Sequence, residues 1–162
     1  MLLKKIKKLT CGLLCMTMLL PTVQIGATSA TRTDSCPQLS ATIRSDVWIQ
    51  SFADSDGTGL FQVTAAYNST NSNYKKPEWV KTAWSFSAVG IGASISYSGV
   101  GGSVSGSGTT NSSGGYWKNS NGATSAWYKG RVGATGLTLY VGISNTASAY
   151  KAGVPCSTTA KV

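Results

Sequence analysis

Beyond residue 30 the hydrophobic positions of this chain alternate with polar ones and do not recur at helical spacing. The run "SATIRSDVWIQSF" places Ile43, Val47 and Ile49 on one side and Thr42, Arg44, Asp46 and Trp48 on the other, the period of two expected of a half-buried strand. After "ADSDGTG", the run "LFQVTAAY" sets Phe61, Val63, Ala65 and Tyr67 against Leu60, Gln62 and Thr64. The two runs predict a hairpin. The polar stretch "NSTNSNYKKPE" follows as a loop, and Pro77, with no amide proton to give a ladder, marks its end.

From Trp79 onward the parity changes. Bulky residues fall first on even positions (Val80, Trp84, Phe86) and then on odd ones (Val89, Ile91, Ile95, Tyr97). A strand keeps a strict period of two, so the slip near Ala88 and Gly90 predicts a bulge or bend. "SGVGG" reads as a turn, and "SVSGSGTTNSSGG" as a glycine–serine strand with little to bury. In "GYWKNSNGATSAWYKG" (115–130) an Asn121–Gly122 type I′ turn predicts a hairpin. In that hairpin Tyr116 faces Trp127, and Trp117 faces Ala126 with Tyr128 diagonal to it. The four rings then divide two and two between the faces, one pair in the core and one exposed. The runs "RVGATGLTLYVGISNTASAYKAG" and "CSTTAKV" supply further strands. The expected fold is a single all-β, antiparallel, β-sandwich-like domain of about seven to nine strands.

The leader has a different pattern. Lys4, Lys5, Lys7 and Lys8 precede an apolar run from Leu9 to Leu20, and small residues follow at Ala27–Ala30. That order is a secretory signal peptide, and the run is shorter than the roughly 20 residues needed to cross a bilayer. The expected organisation is a cleaved signal at 1–30 and one secreted domain at 31–162, with no stable transmembrane helix after cleavage. Cys11 and Cys15 lie too early in the leader for a lipoprotein anchor. The lysine-rich start fits a bacterial exporter.

Removing the leader takes four of the 14 basic residues and leaves ten against five acids, so the mature chain is cationic. It is rich in Gly, Ser, Thr and aromatics and nearly empty of Leu, Glu and Met, a composition that favours strands. Cys36 and Cys156 remain, near the two ends, in a compartment that permits oxidation. A disulfide between them closes a loop of about 120 residues, for which chain entropy gives about 4 to 5 kcal/mol.

The inventory excludes several chemistries. Histidine is absent, so no ordinary Ser/His or Cys/His nucleophile pair exists, and no soft-ligand metal set either. A two-carboxylate hydrolase would have to draw on Asp34, Asp46, Asp54, Asp56 and Glu78 alone. "DSDGTG" has the look of a calcium loop but lacks the later glutamate, so a plain Asp-Gly turn is the better reading. "GVGGSVSGSG" lacks the strand–loop–helix setting of a phosphate cradle. Asn68 and Asn111 open glycosylation sequons. In the mature chain only Lys75 and Lys76 are adjacent bases, so no stripe tracks a nucleic-acid backbone. The expectation is a protein without enzymatic activity, cofactor, metal or nucleic-acid partner.

Three function classes remain. The leading one is a secreted binding or surface-interaction protein. It would use Tyr116, Trp117, Lys118, Trp127, Tyr128 and Lys129 on a hairpin to hold a cell-surface glycan, a protein or an anionic envelope, since aromatics offer large rigid area at small entropic cost. The second is a membrane-active, bacteriocin-like or pore-forming toxin using segment 86–110. There apolar residues alternate with Ser and Gly about the "SGVGG" turn, and positive charge draws the chain to anionic envelopes. Its weak point is the second arm, "SVSGSGTT", which is poorly apolar. The third is an extracellular structural or inhibitor protein stiffened by the Cys36–Cys156 bridge, with no residue marking a reactive loop.

Overall fold

The computed structural model describes residues 27–50, 58–103, 105–111 and 113–162; positions 1–26 of the expected leader and the Asp54/Asp56 turn lie outside the described residues. The alternating runs become eight antiparallel strands: β1 (Thr28–Cys36), β2 (Ala41–Ile49), β3 (Thr58–Ser69), β4 (Trp79–Gly102), β5 (Gly106–Asn111), β6 (Gly114–Asn119), β7 (Ser125–Lys151) and β8 (Val154–Lys161). β2 and β3 pair as the sequence predicts, with Val47 opposite Val63. Ile43, Val47, Ile49, Phe61, Val63, Ala65 and Tyr67 are all buried.

The long strands β4 and β7 organise everything else. They pair along their whole lengths, from Trp79↔Tyr150 to Gly102↔Tyr128. The other edge of β7 takes β3 near its start (Ala65↔Ala126) and β8 near its end (Ala149↔Cys156). The other edge of β4 takes β6 near its start (Lys81↔Lys118), and β6 takes β5. Between these flanked parts, residues 87–95 of β4 and 134–142 of β7 pair only with each other. The ribbon bends there, so that β1 and β2 pack over β8 and the far end of β7. One sheet thereby forms both layers of a sandwich. The first layer holds β1, β2, β3, the start of β7 and the end of β4. The second holds β8, the end of β7, the start of β4, β6 and β5.

The bend sits at the predicted parity slip. The β4–β7 register shifts between Val89 and Gly90 and again between Ile91 and Ser94, and bulges bend a strand and raise its twist. Gly92 and Gly136 face each other here with φ of 65° and 80°, a region open to glycine at little steric cost. A Cβ on Gly136 would strike the Gly92 carbonyl.

Two sequence expectations are corrected. First, "SGVGG" is not a turn: Gly99, Gly101 and Gly102 stay in β4, paired with Gly130, Lys129 and Tyr128. The chain reverses after Gly102, where the Gly106 amide donates to the Ser103 carbonyl at 2.9 Å. The arm from Val89 to Tyr97 therefore pairs with β7 and not with 103–110. Second, residues 115–130 form no hairpin. β6 has β4 on one edge and β5 on the other, so no edge is left for β7, which starts in the opposite layer beside β3. The Asn121–Gly122 turn is instead a crossover between layers. Asn121 Oδ1 accepts from the Ala123 amide at 3.2 Å, Gly122 has φ of 78°, and the Thr124 carbonyl accepts from the Tyr67 amide.

The core has two apolar clusters, one around Leu39, Ile43, Tyr67 and Val80 and one around Phe61, Trp84, Tyr128 and Ile143. Buried Ser45, Thr82, Asn145 and Thr158 separate them, each lying between an apolar residue of one cluster and one of the other along its strand. Asn145 crosses between the layers: its Oδ1 accepts from Thr82 Oγ1 at 2.6 Å, and its Nδ2 reaches Ser45 Oγ, the Asp46 carbonyl and the Thr64 carbonyl at 3.0 Å. The Cys36–Cys156 disulfide, with Cα atoms 6.0 Å apart, ties the end of β1 to β8 in the first cluster.

Candidate functional site

A site built on aromatic rings requires rings that are not already structural. Tyr128 is buried, lying 4.4 Å from Trp84 in a stack and 5.5 Å from Trp117. Its phenol is pushed above the usual tyrosine range by burial, with the neighbouring Tyr97 adding to the effect. Trp117 packs against the same cluster and donates its indole proton to the Ser103 carbonyl at 3.1 Å. The glycine-rich segment makes room for both rings. A Cβ on Gly102 or Gly106 would collide with the Trp117 indole, and one on Gly99 with the Tyr128 hydroxyl. A segment with nothing of its own to bury thus lies under two large side chains.

The remaining predicted residues point outward from different layers. Trp127 and Lys129 lie on the outer face of the first layer, with the ammonium 5.9 Å from the Trp127 ring centroid. Their partners in β3 are Thr64 and Gln62, and Gln62 in turn pairs with Trp48. A shallow groove of about 210 Å³ opens beside Trp48. Its one carboxylate, Asp46, already accepts from Thr31 Oγ1 at 2.8 Å and Arg44 Nε at 3.0 Å. Tyr116 and Lys118 lie on the outer face of the second layer. The six residues expected to act together are therefore a core pair, Trp117 and Tyr128, and two outward pairs in opposite layers.

On the second layer, Tyr116 and Lys118 meet residues the sequence reading did not single out. Trp79 and Tyr150 are directly paired, with ring planes 6° apart and centroids 5.8 Å apart. Lys81 and Lys118 are also directly paired, and both approach the Trp79 ring, their Nζ atoms 5.8 Å and 5.1 Å from its centroid. Like charges across a rung repel. The ring face offsets part of that cost through cation–π attraction, about 0.5–1 kcal/mol at an exposed site. No carboxylate takes up the rest: the ion pairs among the described residues are Arg32–Asp34 and Arg44–Asp46, both on β1 and β2. Glu78, next to Trp79 in sequence, accepts instead from the Ala152 amide at 3.0 Å. The signal for this site was present in "WVKT", where Trp79 and Lys81 alternate with the inward Val80 and Thr82.

No protein-family model and no curated protein matches this chain. Among the described residues no cluster of three metal-ligating side chains occurs.

Proposed function

We propose that the protein is a secreted binding module, not an enzyme, that holds anionic cell-surface glycans on the outer face of its second layer. Trp79 and Tyr150 provide the platform on which sugar rings lie, and Lys81 and Lys118 contact carboxylate or phosphate groups carried by the polymer. Ser148, paired with Lys81, and the exposed Tyr116 add hydroxyls. The observation that carries this reading is the pair of facing lysines over one tryptophan ring without an acidic partner. An anion placed between them replaces repulsion with two charge-assisted hydrogen bonds. The Cys36–Cys156 disulfide, and the lack among the described residues of any helix long and apolar enough to cross a membrane, are compatible with an extracellular address.

The test is retention on immobilised anionic polysaccharide against its neutral counterpart. The native protein is expected to be retained only on the anionic polymer and to elute as salt rises, because exposed charges are screened. Lys81→Ala with Lys118→Ala abolishes retention, and Trp79→Ala weakens it while leaving the melting temperature of these surface variants near the native value. Equal retention on neutral polymer, or retention untouched by all three changes, removes this reading.

A further inference from the structure

The bend of the β4–β7 ribbon carries a second surface, independent of the proposed glycan-binding face at the start of β4. Val89 is directly paired with Tyr140 and Ile91 with Leu137. All four are exposed, at 58%, 45%, 79% and 63%. The register shift after Val89 lets both pairs share a face, so four large apolar side chains meet solvent together at the bend. A contiguous apolar patch of this kind on a soluble surface marks an interaction site. We infer that this patch seats the protein on anionic lipid bilayers, with the aliphatic side chains at the acyl boundary and Tyr140 among the headgroups.

Charge selects lipid as the occupant. No acidic residue follows Glu78, whereas Lys81, Lys118, Lys129, Arg131, Lys151 and Lys161 do. Two of these flank the bend: Arg131 precedes it on β7, and Lys161 lies opposite Ser144 just beyond it. Lys161 and Tyr140 line one open groove of about 450 Å³ together with Phe86, Ile143, Ser144 and Val162. Aliphatic side chains with a tyrosine and nearby bases match the acyl–headgroup boundary of an anionic leaflet. A second copy fits less well. Edge-to-edge pairing needs a regular strand edge, and the bulges and left-handed glycines at 89–94 and 136 interrupt it. The ribbon is also continuous with both layers at its two ends, so it lies in the interface and does not span. The membrane-active expectation placed on 86–110 thus moves to 86–95 with 134–143, whose second arm supplies Leu137 and Tyr140.

The test is co-sedimentation of the full secreted protein with phosphatidylcholine vesicles and with vesicles of phosphatidylcholine and phosphatidylglycerol. The native protein is expected to pellet with the mixed vesicles only. Ile91→Ser with Leu137→Ser weakens that binding by at least about tenfold without lowering the melting temperature, since both side chains are already in water. Lys81→Ala with Lys118→Ala leaves most of the vesicle binding in place, which separates this surface from the glycan face. Failure of the native protein to bind the mixed vesicles overturns the inference. So does binding unaffected by the double serine change, or a native dimer in sedimentation velocity that the double change dissolves.

Discussion

Replacing Asn145 with alanine removes the side chain that joins the two layers through the core. The residue is fully buried. The change deletes the bond from Thr82 Oγ1 and the amide protons shared among Ser45 Oγ, the Asp46 carbonyl and the Thr64 carbonyl, while the main-chain bond from Ser45 Oγ at 2.7 Å survives. A buried hydroxyl left without its acceptor costs about 1–3 kcal/mol, and each of the two amide-proton bonds lost about 0.5–1.5 kcal/mol, so the loss sums to about 2–6 kcal/mol. That is a large share of the roughly 5–15 kcal/mol that holds a domain of this size together. Urea unfolding of the oxidised protein, followed by tryptophan fluorescence, gives the difference directly. A second variant separates hydrogen bonding from packing: Asn145→Leu with Ser45→Ala and Thr82→Val removes the side-chain partners together, leaving only the Asp46 and Thr64 carbonyls without the amide, and recovers part of the loss. A single-variant loss below about 1 kcal/mol, or a triple variant weaker than the single, refutes the reasoning.

Cys36→Ser with Cys156→Ser lowers stability by about 4–5 kcal/mol through the freed loop, and coincident urea midpoints for the two proteins would contradict it. Burial raises the phenols of Tyr67 and Tyr128 above 10.0, with the Ser69 hydrogen bond partly opposing the shift at Tyr67. Their contribution is therefore complete below the unfolded value and fades as pH climbs through the folded one. Unfolding midpoints should fall above pH 10 and fall less in Tyr128→Phe, which an alkaline denaturation series reads out. Gly102→Val drives a side chain into the Trp117 indole and costs about 1–3 kcal/mol; Trp117→Leu in the same chain should restore part of it. Finally, β1 begins at Thr28, with Thr28–Ala30 paired to Ile49–Val47. Signal cleavage after Ala27 preserves those pairs, whereas N-terminal sequencing that starts at Thr31 would count against a role for them in the mature sheet.

Local pattern made much of the fold legible, because alternation and turn residues act over a few positions. The β2–β3 hairpin, the end of the loop at Pro77 and the slip near Gly90 all depend on neighbours in sequence. The pairing of β6 does not. Asn121–Gly122 offers a hairpin turn, yet the edge of β4 between Val80 and Ser85 competes for β6 and wins. The partners of segment 89–97 are likewise distant in sequence, on β7, from Tyr140 opposite Val89 to Val132 opposite Tyr97. The outward aromatics shared this fate: Trp79 and Tyr150 become a pair only through the β4–β7 register. Of the expected two-and-two division of the Tyr116–Tyr128 rings only the inward pair stays together, since Tyr116 and Trp127 lie on opposite layers, and that pair forms for a reason outside the hairpin logic. Trp117 and Tyr128 meet over glycines of β4 and the turn that follows it.

The distribution of charge follows the order of strands. All five acids occur at or before Glu78, and those on β1 and β2 are already engaged, Asp34 with Arg32 and Thr158 and Asp46 with Arg44 and Thr31. Such exposed pairs add little stability, but they cancel field locally. No acid follows Glu78 in sequence, and both proposed surfaces lie on strands from β4 onward, Lys81 and Lys118 at one end of the long ribbon and the Ile91–Leu137 patch at its bend. The resulting field attracts the second layer and the bend toward any anionic envelope before a contact is made, and its reach is about one Debye length, roughly 8 Å at physiological salt. Glycan and lipid binding should therefore share a steep salt dependence of association. They should differ in what persists at high salt, where only the apolar patch at the bend retains its driving force.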